Sequence, residues 1–320
     1  MKQRDWLGFV SCYGTVFFLV MLIVGFSISR PEVFPTLLNF LNVLNQSAIL
    51  GVIAVGLTVC LVMGLFDLSI AAMATLGGYM VCRMLVAQGD SPQIALCVIA
   101  VLLGAALIGV FNGILVSYLG ISAFIATLAM GSVITGVILG YSESRTIVSG
   151  LPDAFGFIGQ QSSLGIPHAV YIMAVVALLL WLLLEHTQTG RNLYAIGGNP
   201  EASRLSGLAI KRYGLLALGI SGACAALAGI MAASSLGAGR PQGVGDTYLL
   251  NAFAAVFIGA STLRPGQFHI FGTVIGVLLI GVINNGLSVL GAPTYWQYIV
   301  QGSLLIVAMF GATVTSLRRK

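Results

Sequence analysis

"LGAALIGVFNG" (Leu103 to Gly113) and "IGVLLIGVINNG" (Ile275 to Gly286) are one pattern written twice. Gly104, Leu107, Ile108, Gly109, Val110 and Asn112 recur as Gly276, Leu279, Ile280, Gly281, Val282 and Asn284. Beyond a one-residue insertion the match resumes, with Leu119-Gly120 against Leu290-Gly291 and Gly131-Ser132 against Gly302-Ser303. Gly and Leu recur by chance in any apolar helix, but register held on both sides of an insertion is harder to obtain that way. The pattern reads as an internal duplication.

Outward from the two copies the chain is apolar almost throughout: 58% of its residues are hydrophobic and 7% charged, too little polar surface to coat a water-soluble globule of 320 residues. It reads as an all-α, polytopic membrane protein. A span needs about 20 apolar residues, and the breaks fall where Pro, Gly and charge cluster. The expected spans are 8–28, 40–65, 68–87, 92–118, 122–141, 168–184, 213–236, 246–263, 268–290 and 294–315. The copies then occupy the fourth and fifth spans and the ninth and tenth, and this odd offset turns the second copy upside down in the bilayer. The expectation is one transmembrane domain over 1–320, with inverted repeat halves at about 40–141 and 213–315 and a polar connection at 185–212. Two similar halves of opposite orientation can rock between outward-open and inward-open forms, which favours a transporter.

The first apolar run, to about Ser29, is too long for a signal-peptide core and lacks its cleavage pattern, so it reads as a retained span. About ten spans place both termini on one side. Lys2, Arg4, Arg191, Arg204, Lys211, Arg212, Arg264, Arg318, Arg319 and Lys320 then face the cytoplasm, and Arg30, Arg83, Arg145 and Arg240 fall outside that set. Orientation in a membrane explains the net charge of +5 without a nucleic-acid partner. The five cysteines have neither paired nor CxxC spacing, which argues against a disulfide framework or a zinc site. None of the lysines, Lys2, Lys211 and Lys320, stands in a GxxxxGK[ST] phosphate loop, so energy must come from another chain or from an ion gradient. His168, His186 and His269 stand far apart at span edges, with no HExxH or GxSxG, and no catalytic set is recognisable.

The longest polar interlude, "TQTGRNLYAIGGNPEASRLSGLAIKRY" (Thr187 to Tyr213), carries helix punctuation. Asn199 suits an N-cap, Pro200 the first helical position, Glu201 the positive end of the dipole and Gly207 the closing turn. A short helix should lie across the membrane face here, its small residues Ala202, Ser203 and Ser206 and Leu205 fitting a partner's groove while Glu201 and Arg204 meet charges at the rim. An ordinary positive-inside loop needs no such cap.

Polar groups within spans are costly unless they face protein or water. Asn112, Asn284 and Asn285 occupy corresponding places in the repeats, suited either to helix-to-helix hydrogen bonding or to lining a pathway. Phe124 and Tyr295, shortly after the matched Leu-Gly pairs, suit stacking on the apolar face of a solute, a gate or a core position. Asp67, with Ser69, stands at an expected helix start, where a capping role competes with ion coupling. The GxxxG patterns at Gly109 to Gly113, Gly136 to Gly140 and Gly272 to Gly276 permit close helix contact. On the outer face, Tyr141 to His168 is the longest segment, and its Glu143, Arg145 and Asp153 suit either contact with a charged partner or a solvated connection.

"GRNLYAIGGNPEASRLSGL" (Gly190 to Leu208), "MGLFDLSIAAMATLGG" (Met63 to Gly78) and "FGTVIGVLLIGVINNGLSVLG" (Phe271 to Gly291) together resemble the permease subunits of bacterial ABC importers for ribose and related monosaccharides. The likeness runs from about Asn39 to Ala312. It implies a type II importer-like fold in the bacterial inner membrane, with two permease subunits, two ATP-binding cassette subunits holding ATP and Mg²⁺, and a periplasmic sugar-binding protein. No cofactor or metal is then expected on this chain. By resemblance Gly190, Arg191, Gly197, Gly198, Asn199, Ala202, Leu205, Ser206 and Gly207 would contact the ATPase. The chain departs from the family at Leu65, Phe66 and Ala71, at Leu249 and Asn251 where acidic residues are common, and at Ala260, Arg264, Pro265 and Phe268 where small residues are favoured. These departures fit a different ligand or a second, non-identical permease. The competing expectation is an ion-coupled secondary transporter of a small solute, against which stands the shortage of mid-span acids.

Overall fold

A backbone without water around it must satisfy its hydrogen bonds internally, so long apolar runs become helices. The computed structural model describes the backbone of residues 2–89 and 93–317, with side chains for 13–89, 93–307 and 309–310. The basic side chains of Lys2, Arg4, Arg318, Arg319 and Lys320 lie outside the described residues. Among the described residues twelve α-helices follow one another: α1 (Lys2–Ser29), α2 (Leu37–Val62), α3 (Ile70–Ala87), α4 (Ile94–Ser117), α5 (Ala123–Ser142), α6 (His168–His186), α7 (Gln188–Gly198), α8 (Pro200–Leu205), α9 (Ile210–Leu236), α10 (Asp246–Ala260), α11 (Ile270–Val289) and α12 (Thr294–Leu317). Among the described residues α2, α3, α4, α5, α6, α9 and α11 are long and apolar enough to cross a membrane, and Tyr13–Ser29 of α1 and α10 form shorter apolar helices. The protein is a polytopic, all-α membrane protein. Only α7 and α8 among the helices are short and polar, and both belong to the segment read as a polar interlude.

Glycines decide how closely the helices approach. A Cβ on Gly109 or Gly113 of α4 would collide with the α9 backbone at Leu218 or Leu215, and one on Gly229 of α9 would collide with the Ala74 carbonyl of α3. One on Gly276 of α11 would strike Ala255 of α10. By contrast, Gly136 and Gly140 of α5 have nothing within 4 Å, so that GxxxG pattern serves no contact within the chain. The two copies of the opening pattern fall on α4 and α11. α4 lies against α9 and α11 against α2, while α3 packs on α5 and α10 on α12. α4 ends and α11 begins on the face that carries α7 and α8: Lys211, at the start of α9, sits 4.9 Å over the Tyr118 ring after α4, and Tyr194 of α7 bonds Phe268 just before α11. The corresponding helices therefore run in opposite directions.

On the other face the segment between α5 and α6 is pinned down. Ser234 Oγ donates to Phe155 O at 2.6 Å and accepts from Gly159 N at 2.9 Å, and Ile147 bridges to Gly239. A hairpin of two-residue strands, β1 (Ser162–Ser163) and β2 (Ile166–Pro167), is tied to the start of α6 by His168, whose ring nitrogens pair with Ser163 Oγ and Phe157 O.

Candidate coupling surface and translocation cavity

The polar interlude folds as two helices where the sequence suggested one. In α7, Thr187 Oγ1 accepts from Gly190 N at 3.2 Å, and the apolar side chains of Leu193 and Ile196 are buried against the bundle. A Cβ on Gly190 would collide with the Leu184 carbonyl, and one on Gly197 with the Val62 carbonyl at the end of α2. α7 is thus seated directly on the ends of α6 and α2. Sequence reasoning missed it because its apolar stripe, Leu193 and Ile196, is only one turn long.

α8 begins where the punctuation indicated. Asn199 Oδ1 accepts from Ala202 N at 3.0 Å, Pro200 opens the helix and Gly207 closes it at φ +80°. Ser203 is buried, whereas Leu205 is 80% exposed and Glu201 and Arg204 pair with one another on the surface at 2.6 Å. The arrangement presents Glu201, Ala202, Arg204, Leu205 and Ser206 outward on a capped helix whose base is fixed. Arg191 and Gly198 are also exposed on this face.

Next to α7, the turn from α10 to α11 is fastened to the end of α6. Arg264 Nη1 donates to Glu185 Oε1 at 2.6 Å, and Tyr194 OH donates to Phe268 O at 2.9 Å. The bulky residues Arg264 and Phe268 therefore serve a contact: Phe268 packs edge-on against Phe257 at 5.4 Å. Desolvation, with Glu185 adding, pushes the Tyr194 phenol up to about 12, and the bond to Glu185 holds the Arg264 guanidinium above its ordinary value. Burial holds His269, the residue before α11, below the ordinary imidazole value, against a raising contribution from its Gln267 carbonyl bond. A depressed value in the folded state means that the neutral ring is the form that fits. Its contribution is whole above the unfolded value of about 6.5 and is lost as the pH falls through the folded value. Acidification below about pH 6.5 should lower the melting temperature of the wild type more than that of His269→Gln, as read by thermal unfolding at a series of pH values.

At the opposite end of the bundle, α2, α9, α10, α11 and α12 surround a cavity of about 520 Å³. Its wall is rich in amides and hydroxyls, including Asn45, Ser47, Asn251, Asn284 and Gln301, with Arg240 contributed by the segment before α10. Arg240, Gly243 and the neighbouring Thr75 and Asp246 also border a second cavity of about 450 Å³ towards α3 and α5. Gly245 anchors the dividing segment, its N–H donating to Thr75 Oγ1 at 3.1 Å.

Comparison with known proteins fits these features. Residues 39–309 match the family described as "Branched-chain amino acid transport system / permease component". The chain belongs to this permease family. It is 37% identical to the D-allose transport system permease protein of Escherichia coli K12, over 96% of this chain and 93% of the relative. It is 38% identical to the ribose import permease protein of Bacillus subtilis 168, over 96% and 94%, and 35% identical to that of Escherichia coli K12, over 91% and 90%. No solved structure matches the chain significantly.

The permease distributes the residues singled out for a pathway to different places. Asn284 lines the cavity and accepts from Gln301 Nε2 at 3.1 Å. Asn285 faces the other way and exchanges amide hydrogen bonds with Asn39 of α2 at 3.0 and 2.9 Å, joining α11 to α2. Asn112 is fully buried and donates to Ser69 Oγ at 3.1 Å. Phe124 and Tyr295 are 51% and 57% exposed on the outside of the chain, and neither reaches the cavity. Asp67 stands three residues before the start of α3 and two before its N-cap, Ser69, and its Oδ1 accepts from Ser69 N at 3.0 Å and Ser69 Oγ at 2.6 Å. On the cavity face, Glu143 and Arg145 form an exposed pair at 3.1 Å, and Asp153 opens a short 3₁₀ turn.

Sequence reasoning missed Ser47, Tyr248 and Gln301 of the cavity wall and marked Asn251 only as a departure from the family pattern. The signal was present: Asn45, Gln46 and Ser47 interrupt an apolar span, as do Asn251 and Gln301. A list of polar residues within spans, free of the repeat, would have collected them.

Proposed function

We propose that this permease is the membrane-spanning subunit of an ATP-driven importer that moves a monosaccharide or sugar-like solute inward across the bacterial inner membrane. The single observation that carries the choice of solute is the cavity wall: amides and hydroxyls line it beside one exposed cation, Arg240, and among the described residues no carboxylate does. An amino acid would bring an ammonium group into a site with no anion to receive it, a costly desolvation. A sugar hydroxyl both donates and accepts, which amides match in both senses. The sugar names of the full-length relatives support the same choice.

In this reading the face bearing α7 and α8 is cytoplasmic, both termini lie on that side, and a separate ATP-binding cassette subunit docks on α8. ATP and Mg²⁺ belong to that subunit. A periplasmic binding protein delivers the solute to the cavity face, and the permease acts as a pair with a second copy or a related chain. The opposite running of α4 and α11 supports an inverted repeat, with halves at about 40–141 and 213–315 joined by the coupling segment 185–212. Closure of the ATPases would press on α8, and α7 would pass that movement to the ends of α2 and α6.

The test is co-purification with the ATPase from native membranes. Leu205→Asp places a charge on the exposed apolar tip of α8, and loss of a buried anchor of at least about 2 kcal/mol weakens a complex about 30-fold. The expected result is retention of the ATPase by the wild type and its loss from the variant. Equal retention by both would remove α8 as the docking element.

A further inference from the structure

We propose that Phe66, Phe257 and Phe268 form an aromatic strut that makes the two turns beneath α7 move as one, with Phe66 and Phe268 as positioning residues for transport. The proposal rests on the importer reading above and deepens it, naming how a push on α8 and α7 would reach both halves of the permease.

α7 touches two turns that are distant in sequence. Gly197 lies over Val62 and Met63, where α2 runs into the turn towards α3. Tyr194, one helical turn earlier on the same face, donates to Phe268 O at 2.9 Å in the turn from α10 to α11. The first of these turns is closed tightly on α2, with Gly64 at φ +80° and Leu65 N donating to Cys60 O at 2.9 Å. Its far side is fixed to two more helices: Leu68 N donates to Thr127 Oγ1 of α5 at 3.0 Å, and Asn112 Nδ2 of α4 donates to Ser69 Oγ at 3.1 Å. Displacing the end of α2 therefore displaces a turn that α4 and α5 both hold.

Phe66 carries that turn across to α10. Its ring centroid stands 6.0 Å from that of Phe253 and 6.5 Å from that of Phe257, with the planes inclined by only 17° and 28°. Phe257 in turn meets Phe268 edge-on at 5.4 Å. All three separations lie within the range of about 4.5–7 Å in which aromatic pairs attract one another. Phe253 and Phe257 are buried, and a close-packed interior passes strain on instead of absorbing it. The result is a closed circuit in which α7 joins the turns from outside and the rings join them from within. With either link alone, α7 could lift from one turn while the other stayed in place; with both, it cannot shift one without loading the other. α10 carries the central rings towards one end and Thr247 and Tyr248 of the cavity wall at the other, so movement of the strut is movement of that wall.

The test uses the complete complex of permease, ATPase and binding protein in proteoliposomes. It reads labelled solute accumulated per ATP hydrolysed, with whichever of D-ribose, D-allose and D-galactose the wild type takes up. A packing role alone would move the melting temperature and leave this ratio unchanged in the molecules that fold. Phe66→Ala and Phe268→Ala should each lower the ratio about fivefold, the factor by which losing one aromatic pair weakens the joined arrangement. The double variant should fall no further than either single one, because a strut cut at one end is already cut. Val256→Ala, a truncation of a fully buried side chain on α10 outside the strut, should leave the ratio unchanged. If one alanine variant fails to fold, by its melting curve, the one at the other end of the strut decides. A wild-type ratio in both alanine variants, losses that multiply in the double variant, or an equal loss in Val256→Ala overturns the proposal. Failure of the importer reading shows separately, as a wild-type complex without ATP-driven uptake, and would take the strut's role with it.

Discussion

Gly197→Leu is expected to abolish solute uptake in a permease that still folds and inserts. Gly197 lies in α7 directly over the end of α2, where even a Cβ would collide with the Val62 carbonyl. That obstacle is backbone, with no flexible side chain to swing aside. Gly190, one side of the same helix, meets the Leu184 carbonyl just as closely, so α7 cannot escape by sliding. It must lift, withdrawing Leu193 and Ile196 from the positions where they are now buried. Overpacking costs about 1–3 kcal/mol, equivalent to about a 5- to 150-fold loss of the seated form, and a leucine belongs at the upper end. Uptake in proteoliposomes should fall about 100-fold, with ATP hydrolysis by the bound ATPase falling less. The neighbouring Gly198 has nothing within 4 Å of its would-be Cβ, so Gly198→Ala should leave α7 seated and the melting temperature of the isolated chain unchanged, and any loss of uptake there would come from the ATPase contact. A Gly197→Leu permease with normal uptake would show that α7 does not transmit the motion.

The second large effect concerns two glycine patterns that look alike in sequence. Gly272 and Gly276 of α11 each approach α10 so closely that a Cβ would strike Gly259 or Ala255, whereas Gly136 and Gly140 of α5 meet nothing. Gly276→Leu should force α10 and α11 apart and lower the melting temperature in detergent by about 5 °C or more, taking an overpacking cost of about 2–3 kcal/mol. Gly136→Leu should leave the melting temperature of the isolated chain unchanged. Equal losses in the two variants would contradict the helix packing described above.

That contrast marks what the sequence could and could not show. Apolar length and the breaks at Pro and Gly located the helices to within a few residues, because the bilayer enforces both. Start positions between α2 and α3 were misplaced: 68 was expected and α3 begins at Ile70, since Asp67 and Ser69 bond one another ahead of the helix. The cap at Asn199 was legible because capping is local chemistry. Which glycines touch a neighbour was not, since GxxxG states only that a face is small and leaves open what lies against it. The cavity was least legible. Its wall comes from five helices distant in sequence, and the repeat drew attention to Asn285, whose amide is spent joining α11 to α2, and to Asn112, whose amide donates to Ser69 outside that wall.

The central claim is that this chain is a conduit driven by a separate ATPase. Proteoliposomes containing the chain alone, the chain with its ATPase subunit, and both with the binding protein, each tested with ATP or with an imposed sodium or proton gradient, address it most directly. The account predicts accumulation of labelled monosaccharide only in the complete set with hydrolysable ATP, and insensitivity to ionophores. Uphill accumulation by the chain alone on an ion gradient would contradict it.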